Sequence, residues 1–440
     1  MTRRVYLQSL GCPKNQVDSE HMLGLAAQAG AEIVLDPAEA DVLVVNTCGF
    51  IGEAKKESIE AILELAGLKQ GSPGKRLIVT GCLVQRYGAE LQQSLPEVDG
   101  FLGTGDFTRL PELLDGGPVD LSAYRHAAHL LPAAEVPRAR SGHFFSAYLK
   151  ISEGCDHRCS FCIIPQIRGR HESRPFDAVI AEAEALANDG VVELNLIAQD
   201  LTAYGRDRGD DSSLSSLLRR LARIDGIQWV RLLYTYPRYV NDELLDTIAG
   251  EPKVCRYIDL PLQHISDRVL AAMRRERSGS ALRQLVGHMR ARVPGVTLRT
   301  AFIVGFPGES DDDFAELLAF VRESRFDHVG VFRYSREEGT AAADMAEQVP
   351  ARLKQRRYHR LMTLQAGVAA ELNRARVGGI EPVLVCGQDG NGRWYGRTRG
   401  QAPDIDGVLY LSQPESPGAI VPALIRDSTT YDLEGEVIPG

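Results

Sequence analysis

Over the first hundred residues, short apolar runs alternate with stretches of helical period. RVYLQSLG (4–11), DVLVVNTC (41–48) and RLIVTGC (76–82) read as buried strands. EHMLGLAAQAG (20–30), ESIEAILELAG (57–67) and YGAELQQSL (87–95) read as helices, the first with Asp18 or Ser19 as its N-cap. This βαβ rhythm predicts a parallel sheet with helices packed on it, in an N-terminal α/β domain spanning 1–118. The pattern then loosens into GGPVDLSAYRHAAHLLPAAEVPRARSG, rich in Gly, Pro and Ala, which places a linker at 119–140. From 141 to 372 strand and helix alternate again. SAYLKIS, VVELNLIAQD, WVRLLYTYP, YIDLPLQH, TLRTAFIVGFPG and HVGVFRYS are six strands with regular crossovers, which fit a partial or complete βα barrel. A polar helix over 351–378 leads into the tail, 373–440. There PVLVCG, RWYGRTRG, GVLYLS and IVPALIRD, split by DGNG, PDIDG and PESPG, predict a small antiparallel β-barrel.

Composition changes this picture little. The 440 residues suffice for two to three domains, and 44% hydrophobic with 25% charged residues is the balance of a soluble globular protein. Apolar runs such as VLVVN stay far below the roughly 18 residues of a membrane span. MTRRVYLQSLG turns polar too soon for a signal peptide, so a cytoplasmic protein is expected. Fifty basic against 59 acidic residues give a net charge of −9, which argues against a whole-molecule nucleic-acid binder. Eight cysteines in such a chain point to metal or redox chemistry rather than to a disulfide framework.

Six of those cysteines form two trios. Cys12, Cys48 and Cys82 each lie just past the end of a predicted strand, in SLGC, VNTC and VTGC, 36 and 34 residues apart. Strands of a parallel sheet end on the same edge, where open α/β folds place ligands, so these thiols can converge if the strands are neighbours. Any one alone reads as a small residue in a tight turn. Three at equivalent positions favour a metal site with an open coordination position. Cys155, Cys159 and Cys162 form C-x3-C-x2-C in SEGCDHRCSFCIIP (152–165), on the loop after the first barrel strand. Three such thiolates can hold three irons of a four-iron cluster and leave the fourth iron free. A zinc site using His157 is the rival reading. Cys255 and Cys386 stand in strand-like sequence without partners and read as core residues.

With Phe161 before its last cysteine, this second motif resembles the radical S-adenosylmethionine (SAM) signature. LGCPKNQVDSE, NTCGFIGEAKKESIEAI, VTGCLVQRY, SEGCDHRCSFCIIPQIRGRHESRP, GRTRGQAPDIDG and YDLEG extend the resemblance over nearly the whole chain and narrow it to the methylthiotransferases. The resemblance implies an N-terminal three-cysteine domain, a radical-SAM barrel and a C-terminal TRAM β-barrel. It also implies two [4Fe-4S] clusters, one on each trio. The second trio's free iron would chelate SAM, which yields a 5′-deoxyadenosyl radical; the first would hold the sulfur to be inserted. Phe161, Gln199, Gly305 and Gly308 are then expected around SAM, although a tight βα turn explains the glycines equally well.

One branch of that family modifies the β-carbon of an aspartate in small-subunit ribosomal protein twelve; others modify adenosine in tRNA. GCPKN-x-VDSE and CSFCIIPQIRGRHESRP are closer to the ribosomal branch. The tail from 378 onward carries four basic and nine acidic residues, a balance of −5 that would repel tRNA phosphates and suits a basic ribosomal protein. The expected partners are therefore that protein or its subunit, a flavodoxin- or ferredoxin-like reductant and a sulfur donor, with no membrane. The alternatives are a tRNA adenosine methylthiotransferase and a non-catalytic iron–sulfur or zinc-organised protein.

Overall fold

The computed structural model describes residues 2–439 apart from 73, 115, 117–135 and 414. Its N-terminal sheet holds β1 (Arg4–Ser9), β2 (Glu32–Ile33), β3 (Val42–Thr47), β4 (Arg76–Gly81) and β5 (Gly100–Leu102), all parallel, in the order β2-β1-β3-β4-β5. The three strands that precede cysteines are thus immediate neighbours.

The helices between them start earlier than their periodicity suggests. The first, α1 (Pro13–Gln28), has Cys12 at its N-cap and proline in its first turn. The fixed φ of proline suits that position and costs no hydrogen bond there. Asp18 and Ser19 are therefore not the cap. They are buried inside the helix, where Asp18 meets Lys150 and Arg168 and Ser19 bonds Ser9. Likewise α2 (Gly52–Gln70) and α3 (Cys82–Ser94) begin close to their cysteines, and α3 kinks at Tyr87, where a separate helix is expected from sequence.

The second sheet contains β6 (Ser146–Lys150) and, after a short hairpin of β7 (Ser152–Glu153) with β8 (Glu172–Ser173), five further strands. These are β9 (Glu193–Ile197), β10 (Trp229–Leu232), β11 (Val254–Asp259), β12 (Thr297–Val304) and β13 (His328–Arg333). The six are parallel and neighbour one another in chain order; β6 and β13 are the two edges, so this is a βα barrel left open. The long polar helix spans Ala351–Arg376.

The tail closes into a barrel of β14 (Ile380–Gln388), β15 (Trp394–Thr398), β16 (Leu409–Leu411), β17 (Ile420–Ser428) and β18 (Leu433–Val437), in the order β14-β15-β16-β18-β17. It is not wholly antiparallel, because β16 and β18 run parallel. A closed ring of five strands cannot alternate direction all the way round, so one parallel pair is unavoidable. This barrel docks on the starts of the core strands. Glu193 at the head of β9 is fully buried between Arg231 and Arg397, and Tyr148 and Tyr257 bond Asp404 and Asp406.

Of the predicted linker, 119–135 lies outside the described residues. The last part, 136–140, is held firmly: Arg138 pairs with Glu20 of α1 and with Glu182 of the core at 2.6 and 2.7 Å. Cys255 and Cys386 are buried in one apolar cluster, as their sequence context suggests.

Candidate active site

The first trio is assembled by backbone close approach. Gly11 has φ +91, and a Cβ there would stand 2.8 Å from Cys48 Cβ and 3.2 Å from its Sγ, so the turn before Cys12 lies directly against Cys48. Gly81, with φ +98, brings Cys82 under β3: a Cβ would meet Asn46 Oδ1 at 2.3 Å and Thr47 O at 2.6 Å. Asn15, buried in the first turn of α1, joins all three loops. Its amide donates to Leu10 O at 2.9 Å and Thr47 O at 3.0 Å, and its oxygen lies 3.7 Å from Cys82 Sγ. Burial pushes the Cys48 thiol up to about 12. Thiols so buried hold their protons until a metal ion displaces them.

Cys155, Cys159 and Cys162 sit on the loop after β7, at the mouth to which the core strands point. Ser160 pins that loop, its N–H donating to Met273 O at 3.0 Å and its hydroxyl to Ala272 O at 2.7 Å. All three cysteines line one cavity of about 680 Å³, together with His157, Arg158 and Arg274. A second cavity of about 340 Å³ adjoins it, where His157 meets Asp200 at 2.6 Å. The His157 ring stacks on Tyr236 at 3.6 Å and is engaged as a hydrogen-bonding brace. Burial pushes Cys155 and Cys162 up to about 12, and Arg275 stands 3.6 Å from Cys159 Sγ. Three thiols around a cavity of that size, with cations beside them, fit an anionic iron–sulfur cluster and a small bound molecule. Among the described residues no group of three His, Cys, Asp or Glu side chains is placed to hold a single ion. Ligands of a four-iron cluster bind separate irons and need no common point.

The two trios adjoin. Cys82 packs against Ile163 and Ile167, immediately after Cys162. At the end of that turn Arg168, itself buried, donates to Cys82 Sγ at 3.5 Å. It also pairs with Asp18 and Glu153, each at 3.0 Å, and Lys150 pairs with the same two carboxylates. This buried network ties α1 to the core. Burial raises the Glu153 carboxyl, but Arg168 and Lys150 outweigh it and hold it down at about 2.

Phe161, partly buried, packs against the apolar cluster of Val269, Met273, Phe306, Tyr334 and Ala342. Gln199 donates to Glu153, and its own oxygen is buried with no partner. Gly305 and Gly308 shape a turn whose N–H groups at 305 and 306 bind Glu309, and Gly305 lies against Lys354. Neither cavity is lined by these four residues.

Lys14, Asn15, Asp18, Lys150, Glu153, Arg168 and Asp200 escape sequence reasoning. The available signal is the polar run KNQVDSEH in α1, most of which is buried. A polar run at core positions marks a polar interface rather than a solvated face.

Family models match the chain in three places: uncharacterized protein family UPF0004 over residues 4–103, the radical SAM superfamily over 149–321 and a TRAM domain over 377–438. A protein of Anaeromyxobacter sp. named ribosomal protein uS12 methylthiotransferase RimO is 52% identical over 443 residues, covering 99% of this chain and 93% of that one. One of the same name from Geotalea uraniireducens is 49% identical over 441 residues, covering 99% and 98%. The chain belongs to this methylthiotransferase family. It is a radical-SAM enzyme, and that class implies SAM and a [4Fe-4S] cluster. Among solved structures, the radical SAM methyltransferase TsrM from Kitasatospora setae matches with TM-score 0.56 at 16% identity, over 78% of this chain and 74% of that one. The cobalamin-dependent enzyme OxsB matches with TM-score 0.52 at 12% identity, over 83% and 56%. At such identities the likeness is one of fold. No helix among the described residues is long and apolar enough to cross a membrane.

Proposed function

We propose that this family member places a methylthio group on the β-carbon of an aspartate in small-subunit ribosomal protein twelve, uS12, using SAM as radical source and as methyl donor. The observation that carries this is the adjacency of the trios: Cys82 of the first packs on the residue that follows Cys162 of the second. A sulfur-bearing site and a SAM-cleaving site must share one substrate, and here they share one buried wall.

In this reading Cys155, Cys159 and Cys162 hold the cluster that supplies, when bound, the electron for SAM cleavage. Cys12, Cys48 and Cys82 hold a second [4Fe-4S] cluster. Phe161 and Gln199 support the SAM side through the apolar cluster that contains Phe306 and through Glu153, and Gly305 and Gly308 shape the turn beside it. The buried Arg168–Asp18–Glu153–Lys150 network fixes one trio against the other and keeps water from between them. Residues 1–118, 141–372 and 373–440 serve as cluster, catalytic and TRAM domains joined by the 119–140 linker. The acidic tail favours the basic protein over tRNA. A cytoplasmic reductant and sulfur donor complete the system.

Cys12→Ala tests the division of labour. It should lose half of the bound iron and all uS12 modification, yet keep SAM cleavage, whereas Cys159→Ala should lose cleavage. A Cys12→Ala protein with full iron content and normal uS12 modification would remove the basis of the assignment.

A further inference from the structure

Lys14 is a buried lysine with no carboxylate partner among the described residues, and its chief charge-favouring neighbour is the Cys12 thiol two residues before it. Its side chain is in the first turn of α1, two residues past Cys12, and the residue is only 6% exposed. Among the described residues no carboxylate lies within 4.0 Å of its ammonium, which instead stands 3.0 Å above the ring centre of Tyr234. The nearby carboxylates are taken. Glu153 is bound by Lys150, Arg168 and Gln199, and Asp259 accepts from Arg299 at 3.0 Å and from Tyr234 N at 2.9 Å. A ring face offsets only part of the cost of burying an ammonium, and it leaves the three N–H donors without acceptors.

The position is as telling as the missing partner. Tyr234 follows β10 at the mouth of the core, in left-handed backbone with φ +62. Gln263, past the end of β11 at the same mouth, has φ +72. Non-glycine residues held in this region are strained and cluster where a ligand is gripped. Lys14 thus reaches from the first trio onto the strand ends that face the second.

We propose that Lys14 is the substrate-carboxylate receptor: its ammonium binds the side chain of the target aspartate and sets the β-carbon between the two cysteine sites. This rests on the function proposed above. Arg168 has both terminal nitrogens engaged by Asp18, Glu153, Asn15 and Cys82 of its own chain, whereas among the described residues no hydrogen bond engages the Lys14 ammonium, which leaves its donors for a partner's carboxylate.

The test uses the cluster-loaded chain under anaerobic conditions and measures binding of fluorescent uS12 carrying either aspartate or asparagine at the target position. The parent should prefer aspartate by about ten- to a hundredfold. Lys14→Met should lose that preference and Lys14→Arg should keep most of it, with iron content and circular dichroism of both variants reporting intact folding. If Lys14→Met keeps the parent's preference, the inference fails while the functional reading stands. Weakened SAM binding with the preference intact also overturns it, since the carboxylate held would then be that of SAM. A parent that neither binds nor modifies uS12 overturns reading and inference together.

Discussion

Arg168→Met isolates the network that joins the two cysteine sites. In the parent, two cations, Lys150 and Arg168, face two carboxylates, Asp18 and Glu153, all with side chains less than a tenth exposed. Methionine keeps most of the side-chain volume but leaves a buried excess negative charge, and it removes the donors to Asn15 and to Cys82 Sγ. Breaking a buried pair costs about 3–5 kcal/mol, and because Lys150 still touches both carboxylates the lower end, about 3 kcal/mol, applies. For a chain of this size the urea dependence is about 3 kcal/mol per M, so the midpoint of the far-UV circular dichroism transition should fall by about 1 M. Arg168→Lys, which keeps the charge but not the fork, should fall by less. A midpoint within about 0.2 M of the parent for Arg168→Met would refute the claim that this network holds the domains together.

Acid should act through Glu182. Burial raises its carboxyl, but Arg174 and Arg138 outweigh that and hold it at about 2, below its ordinary 4.5. Its contribution is therefore fully present above about pH 4.5 and lost as pH falls towards 2. Glu182→Gln should flatten the fall of the urea midpoint between about pH 5 and 3, and parallel curves for parent and variant would contradict this. Gly81→Ala forces a Cβ against Asn46 and Thr47 at a φ of +98. It should cost about 2 kcal/mol or more and displace Cys82, and iron analysis should show half of the metal gone while SAM cleavage persists. An unchanged iron content would show that the turn does not set the thiol.

The sheets were legible because buried parallel strands must be continuous apolar runs: VLVVN and RLIVT are strands in place and in register with each other. Helix starts were not, since Pro13, Gly52 and Cys82 occupy first turns for reasons of backbone geometry and ligand placement that apolar periodicity cannot report. The second trio's shared loop was legible from its C-x3-C-x2-C spacing, whereas the first trio's placement on one sheet edge was legible only on condition that its strands are neighbours, which the order β1-β3-β4 supplies. What held them together was hidden. Asp18 reads from sequence as a helix cap, because its partners Lys150 and Arg168 lie 132 and 150 residues further along the chain. Lys14 is further concealed, as its neighbours are a cysteine and an aromatic ring rather than an acid.

The central claim, one substrate shared by two adjoining cysteine sites, is tested most directly by mass spectrometry. Purified uS12 is incubated with the reconstituted chain, a reductant, sulfide and SAM. The account predicts one methylthio group in place of one hydrogen on a single aspartate of uS12, with none formed by Cys12→Ala. Unmodified uS12 alongside methylthioadenosine in tRNA treated in the same way would contradict it.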